Sequence, residues 1–176
     1  LIAAMRISPV GTLRGFAAFW VEIARNTPLT LIFFFTAFVM PMLGVRLPYL
    51  LLAFIALTYY TSPFVAEALR SGINTVPIGQ AEAARALGLG FMQSATQIIL
   101  PQAFRGSVAP LGNTLIALLK NSTVAAAASV ATETSSLMST MIEFHPDVIV
   151  QIFLIFAFGY VILIIPIGML TTYLSN

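Results

Sequence analysis

The sequence is poor in charged side chains and contains no cysteine. Of its 176 residues, 8% are charged and 59% are hydrophobic, and the mean hydropathy is +0.98. A soluble domain carries about a quarter charged residues, so this composition cannot cover a water-facing surface and indicates an integral membrane protein. The lack of cysteine excludes disulfides and thiolate metal sites. The net charge of +2 gives no reason to expect a nucleic-acid partner.

Histidine and lysine occur once each. His145 stands beside Pro146 and Asp147 in a loop-like stretch, which favours a solvated side chain over a metal ligand or a catalytic base. Lys120 is preceded by leucine, so the glycine-lysine pair of a phosphate-binding loop is missing. We therefore expect no catalytic, cofactor-binding or metal-binding residues in this chain, and a membrane-embedded enzyme is disfavoured.

Apolar stretches of about 20 residues, long enough to cross a bilayer, divide the chain. They predict an all-α integral membrane fold, a polytopic helical bundle with four spans plus the remnant of a first one, most of which is expected upstream of Leu1. The predicted segments are the end of the first span (1–5), an interfacial helix (10–25), spans at 26–45 and 48–72, a cytoplasmic loop (73–107), a span at 108–132, an extracytoplasmic loop (133–147) and a span at 148–174.

The distribution of arginine predicts the orientation. If the loops are assigned alternately to the two sides, the first side receives Arg6, Arg14, Arg25, Arg70, Arg85 and Arg105. The second side receives Arg46, Glu133, Glu143 and Asp147. Because positive loops remain inside the cell, the first side is predicted to be cytoplasmic, and residues 73–107 with it.

A short stretch in this cytoplasmic segment, PIGQAEAARALGLGF, differs from the rest of the chain. Its alanines favour a helix, and Gly88 and Gly90 end it after two to three turns, which predicts a helix over 79–88. Such a helix is too short to span and is marginal alone. Glu82 and Arg85 are three residues apart, so they can pair with each other or with a partner. Two interpretations remain open, a connector lying on the protein's own surface and a docking helix for a soluble protein.

Polar residues inside the predicted spans mark a second region of interest. Helix-breaking and polar groups at membrane depth are tolerated where they face protein or water, and transporters place binding sites there. Lys120 either snorkels to the interface or faces a cavity as a cation near a substrate carboxylate. Serine and threonine can equally bond to the backbone or to a neighbouring helix. The candidate substrate-path residues are Lys120, Asn113, Asn121, Thr123, Tyr60 and Ser62.

The stretch EAARALGLGFMQSATQIILP (82–101) resembles the EAA signature of the transmembrane subunits of bacterial ABC importers. The Glu-Ala-Ala triplet opens it, Gly88 follows at the family's spacing, and Ile98, Leu100 and Pro101 close it. Three further stretches resemble the polar amino acid subfamily, whose members take up substrates such as glutamate, glutamine and histidine. They are NTPLT (26–30), AEALRSGINTVPIGQ (66–80) and PLGNTLIALLKNSTV (110–124).

The resemblance implies a five-span permease subunit in the bacterial cytoplasmic membrane. It implies alternating-access import of a polar amino acid, with glutamate as the nearest expectation, and a coupling helix that docks on a separate cytoplasmic ATPase dimer. ATP and Mg are then bound by that ATPase and not by this chain. The other implied partners are a second permease subunit, identical or homologous, and an extracytoplasmic substrate-binding protein. The implied ATPase-coupling residues are Gln80, Glu82, Ala83, Ala84, Arg85 and Gly88. A channel or passive pore is the alternative, which explains the spans but not the docking helix.

Overall fold

The computed structural model describes residues 1–128 and 134–175, and every regular element in these ranges is helical. The all-α prediction is therefore confirmed. The helices are α1 (Ile2–Arg6), α2 (Gly11–Asn26), α3 (Leu29–Met42), α4 (Tyr49–Asn74), α5 (Ile78–Ala86), α6 (91–121), α7 (Thr134–Phe144) and α8 (Ile149–Ser175). Short 3₁₀ segments at Ser122–Ala128 and Pro146–Val148 follow α6 and precede α8.

Proline sets the start of three helices. Pro28, Pro48 and Pro77 immediately precede α3, α4 and α5, each with φ near −60° and an extended ψ of 132° to 140°. The pyrrolidine ring fixes φ, and the missing N–H is no loss at a helix start, where amide groups lack intrahelical partners. The short connections between these helices follow from this placement.

Helices α4 and α6 form the central pair, and small residues let their backbones approach closely. A side chain on Gly72 of α4 would collide with Ser107 and the carbonyl of Ala103, and one on Gly106 would collide with the Thr75 hydroxyl. Close packing on small residues is the usual way in which membrane helices associate. On the other side of α6, Gly112 lies against α8 in the same manner.

A second apolar cluster joins α3 to the first half of α4. Leu29, Ile32, Phe33 and Ala37 pack against alanines of α4 and against Ala125. Most other large apolar side chains, including nearly all of α8, are exposed. This arrangement is expected for helices whose outer faces contact lipid rather than water.

Two helical segments of the described chain, Tyr49–Asn74 and Pro146–Ser175, are long and apolar enough to cross a membrane. The pair α2 and α3, bent by 92°, would make a third if it is one broken span. The sequence predicts four spans and a remnant, and that number stays a prediction.

The helix bounds differ from the predicted segments in two places. The predicted loop at 73–107 is largely helical, because α6 begins at residue 91 and continues through Pro101 to residue 121. The wider turn Ala95–Ile99 accommodates that proline. The predicted loop at 133–147 contains α7, although Glu133 lies outside the described residues, as do residues 129–132 of the predicted span.

Helix α2, predicted as an interfacial helix, packs with its last turns on α4. The Trp20 ring meets Tyr59 edge-on at 5.2 Å, and the Arg25 guanidinium lies 5.4 Å from the centre of the Phe64 ring. Both aromatic residues lie near the midpoint of α4, a helix of about 39 Å. The interfacial placement was predicted from apolar residues at mixed helical spacing and from Trp20, and it stays a prediction. The contacts bring the last turns of α2 alongside the middle of α4.

Candidate functional site

The helix predicted at 79–88 is present as α5, Ile78–Ala86, and ends in a complete hydrogen-bonded cap. Gly88 has a positive φ of 78°. The amide of Leu89 donates to the Ala84 carbonyl (3.1 Å), and that of Gly88 donates to the Arg85 carbonyl (2.9 Å). This pair of bonds is the Schellman arrangement, which requires a left-handed residue at this position and so favours glycine. The predicted glycine stop therefore corresponds to a specific backbone geometry.

One face of α5 holds it to the protein, and the remainder is open. Ala84 is fully buried, and α5 packs on the turn Ala95–Ile99 that precedes the long part of α6. The other predicted coupling residues, Gln80, Glu82, Ala83, Arg85 and Gly88, are exposed. Ala84 thus attaches the helix to its own chain, whereas the side chains or backbone of the other five are open to the surroundings.

The ends of α5 carry large apolar side chains that are uncovered in this chain. Ile78 is 77% exposed at its start, and Leu87 and Phe91 are 79% and 87% exposed beyond its end. Met92 is exposed beside them. Arginine placement predicts that this region is cytoplasmic, where lipid would not cover it, and a concentration of exposed apolar groups at such a place is typical of a protein-binding surface.

Of the two possibilities that the spacing of Glu82 and Arg85 leaves open, pairing with each other is not seen in the described part of the structure. Glu82 and Arg85 are both exposed, and the ion pairs of the described residues do not include either of them. Their charges are consequently available to a partner.

A cavity of about 260 Å³ opens between α4 and α6 near the middle of α4. It brings together three of the six candidate substrate-path residues, Tyr60, Asn113 and Asn121. The asparagines are eight residues apart, so they lie on one face of α6, two helical turns apart. The cavity is also lined by Thr61, Phe64, Thr114, Ala117 and Leu118. Phe64 and Thr114 were missed because sequence gives no signal that distinguishes them from packing residues.

The other three candidates are not in the cavity lining. The Ser62 hydroxyl donates to the Tyr59 carbonyl at 3.1 Å, and the Thr123 hydroxyl donates to the Lys120 carbonyl at 2.7 Å. Both therefore satisfy the backbone, as serine and threonine commonly do in membrane helices. Lys120 is exposed near the end of α6. It lies seven residues from Asn113, so it projects from nearly the same face about two turns further along.

The structure brings to this region a cation, Arg25, that the sequence assigned to the interfacial helix 10–25. Arg25 lies over the ring of Phe64, which lines the cavity and packs on Tyr60 with its ring centre at 5.3 Å. A charged side chain beside the middle of a spanning helix is costly in lipid and marks protein- or water-facing surface. Arg25 thus belongs to the surroundings of this cavity.

A three-residue charge cluster fastens α1 to α4. Glu67 pairs with Arg70 at 2.7 Å, as the spacing predicts, and also with Arg6 of α1 at 2.9 Å. The second partner is 61 residues away in sequence, so spacing could not reveal it. The carboxylate uses both oxygens, one for each arginine.

The described fold is that of a helical membrane protein with a short helix exposed at one end. The chain matches, over residues 1–176, the family described as the inner membrane component of binding-protein-dependent transport systems. It belongs to that family, whose members are the membrane subunits of ABC importers.

Two relatives give the subfamily. The glutamate transport system permease protein GluC of Corynebacterium efficiens is 47% identical over 96% of this chain and 79% of its own length. The probable glutamine ABC transporter permease protein GlnM of Bacillus subtilis is 38% identical over 99% of this chain and 80% of its own length.

Solved structures agree with the fold. The crystal structure of an amino acid ABC transporter with histidines contains a chain that superposes with a TM-score of 0.87 at 27% identity, covering 99% of this chain and 80% of that one. The MetNI methionine ABC transporter has a similar fold, with a TM-score of 0.73 at 21% identity over 99% of this chain and 83% of that one. The expected resemblance to ABC importer permeases is therefore confirmed.

Proposed function

We propose that this chain is the permease subunit of an ATP-driven importer for a polar amino acid in the bacterial cytoplasmic membrane. The observation that carries the proposal is α5. It is a nine-residue helix held by Ala84, closed by the Gly88 cap and otherwise exposed.

We further propose that α5 docks in a groove of a separate cytoplasmic ATPase, which binds ATP and Mg. Helix-in-groove binding uses apolar anchors together with a small-residue surface. Phe91 and Leu87 supply exposed anchors, and the alanines of α5 allow a groove wall to approach closely. Glu82 and Arg85, unpaired within the described chain, supply charges of both signs for orientation.

The cavity between α4 and α6 is the proposed substrate path. Tyr60, Asn113 and Asn121 offer neutral donors and acceptors for the polar groups of an amino acid. Relatives named for glutamate and glutamine transport support this substrate class, with glutamate as the first candidate. A second permease subunit and an extracytoplasmic binding protein complete the proposed assembly.

Reconstituted vesicles test the ATP-driven part of the proposal. The chain is purified gently with its co-eluting subunits and placed in vesicles with or without internal ATP, and uptake of labelled glutamate, glutamine and histidine is measured. We expect uptake that requires ATP. Equal uptake without ATP would favour a channel or passive pore instead.

A matched pair of substitutions tests docking. Phe91→Ser removes an anchor beside α5, whereas Phe104→Ser makes the same change at an exposed site 13 residues further along α6. We expect the first variant to lose co-purifying ATPase and the second to retain it. Equal retention of the ATPase by both variants would contradict docking at this surface.

A further inference from the structure

The coupling helix packs on an unusual turn of its own chain. Within α6 the turn Ala95–Ile99 is a π turn, in which the Leu100 amide donates to the Ala95 carbonyl five residues back. π turns are rare and occur mostly as single turns at functional positions. This one lies between α5 and the long part of α6, which packs on α4 and α8. Apart from the short link 75–77 to α4, the main contacts of α5 are with this turn and with residues 91–94, so the turn lies on one of the two routes by which α5 is connected to the membrane helices.

Proline explains why the wide turn is tolerated here. Pro101 has no N–H, so the α-helical bond to the Gln97 carbonyl cannot form, and its ring would crowd that carbonyl in a regular helix. The same pattern occurs once more among the described residues, where a π turn at Phe35–Val39 precedes Pro41 and the Met40 amide donates to the Phe35 carbonyl. Proline alone does not produce the turn, because Pro63, Pro110 and Pro166 lie inside α-helical stretches. The turn at 95–99 thus depends on its surroundings as well as on Pro101.

A second observation at the same place is an unsatisfied hydroxyl. Ser94 immediately precedes the π turn and is only 7% exposed, and its Oγ has no hydrogen-bond partner. By contrast, Thr96 within the turn donates to the Met92 carbonyl at 2.7 Å, and Ser107 further along α6 donates to the Ala103 carbonyl at 2.8 Å. A buried hydroxyl without a partner is unfavourable by about 1–3 kcal/mol. Such a group is explained if it gains a partner in a second arrangement of the helix.

We propose that the π turn Ala95–Ile99 is the joint at which the coupling helix moves relative to the membrane helices. This inference rests on the proposed function. Pro101 and Ser94 are positioning residues, because they act through the helix that docks and not on the substrate. In the second state the Leu100 amide bonds to the Thr96 carbonyl, as in a regular α-helix. That exchange turns the segment before it by about 100° relative to the segment after it, one residue's share of a helical turn.

Three variants test the joint in the reconstituted complex, with transport per ATP hydrolysed as the readout. Pro101→Ala restores an amide donor and favours the regular helix, and Ser94→Ala removes the hydroxyl without losing a bond seen here. Pro41→Ala is the matched control, since it alters the other π turn. We expect the first two variants to lower the ratio by about 2- to 30-fold, the range reported for changes along coupling networks. We expect the control to keep the wild-type ratio.

Measuring thermal stability together with the transport ratio distinguishes a role in movement from a role in stability alone. Ser94→Ala should unfold in detergent at the wild-type temperature or above, while its transport ratio falls. Wild-type ratios in both Pro101→Ala and Ser94→Ala, or an equal loss in Pro41→Ala, would overturn the joint. ATP-independent uptake by the wild-type complex would instead overturn the proposed function, so the two failures are distinguishable.

A distance measurement covers the case in which Pro101→Ala fails to assemble. The sequence has no cysteine, so spin labels can be attached to cysteines placed at the exposed Ala86 and Ala109, on the two sides of the joint. We expect the distance between the labels to change between the nucleotide-free and the ATP-trapped complex. An unchanged distance in a complex that transports would overturn the joint.

Discussion

The Gly88 cap of α5 gives a direct test of whether the backbone geometry of this helix supports the proposed coupling to an ATPase. Gly88 has a φ of 78°, and a methyl group at this position would meet no atom within 4 Å. Gly88→Ala therefore causes no collision, and its effect is conformational. A non-glycine residue in the left-handed region costs about 1–2 kcal/mol. That cost disfavours the capped end of α5 relative to unwound alternatives by roughly 5- to 30-fold.

The assay is ATP-driven uptake in vesicles, measured together with ATP hydrolysis. If docking requires the capped helix, Gly88→Ala should lower uptake within this range while membrane insertion is unchanged. Gly88→Asn should lower it less, since asparagine tolerates the left-handed region better than alanine. Gly79→Ala is the control, because Gly79 lies within α5, has equally free space around it and carries no positive φ.

Alanine at position 79 should favour the helix by up to about 1 kcal/mol. We therefore expect Gly79→Ala to leave coupling intact or to improve it. Normal uptake by Gly88→Ala, or an equal loss in both variants, would refute the reasoning that the left-handed cap supports docking.

Three further predictions concern packing, the substrate path and the charge cluster. Gly72→Ala should lower the stability of the helix bundle by about 1–3 kcal/mol through overpacking, measured by thermal unfolding in detergent. Gly159→Ala is the control and should leave the stability unchanged, because there is open space around Gly159. Asn113→Ala should raise the KM for uptake, and Thr123→Ala should not, because Thr123 lies outside the cavity lining. Glu67→Gln leaves two half-buried arginines without a charge partner, so it should lower the unfolding temperature. If the stability of the wild-type protein does not change with salt concentration, the charge cluster does not contribute to it as proposed.

Some of the site was predictable because it depends on local geometry. The α5 helix follows from alanine propensity, Pro77 before it and glycine after it, and the Glu67–Arg70 pair follows from a spacing of three residues. Other parts depend on residues distant in sequence. Arg6 reaches the same carboxylate from α1, and Arg25 reaches the cavity wall from α2. No local pattern indicates either contact.

The extent of α6 was not predictable for a related reason. Residues 73–107 were expected to form a loop with one short helix because they are a polar segment between two apolar spans. In the structure a π turn accommodates Pro101, and the packing of α5 and α4 around the helix stabilises its continuation. The bounds of the helix were therefore set by tertiary contacts and not by propensity.

Composition and residue spacing by themselves determined the membrane class and the short helix with its glycine end, and charge placement predicts which side is cytoplasmic. These properties depend on how each side chain interacts with water, with lipid and with residues near it in sequence, so they do not require knowledge of the packing. Only the tertiary structure decided that Ala84 faces inward while Glu82 faces out, that two asparagines and a tyrosine share a cavity, and that α5 packs on a π turn. Each of these features depends on which helices are neighbours. Small residues such as Gly72 and Gly112 allow particular pairs of helices to approach closely, and so help to fix that arrangement.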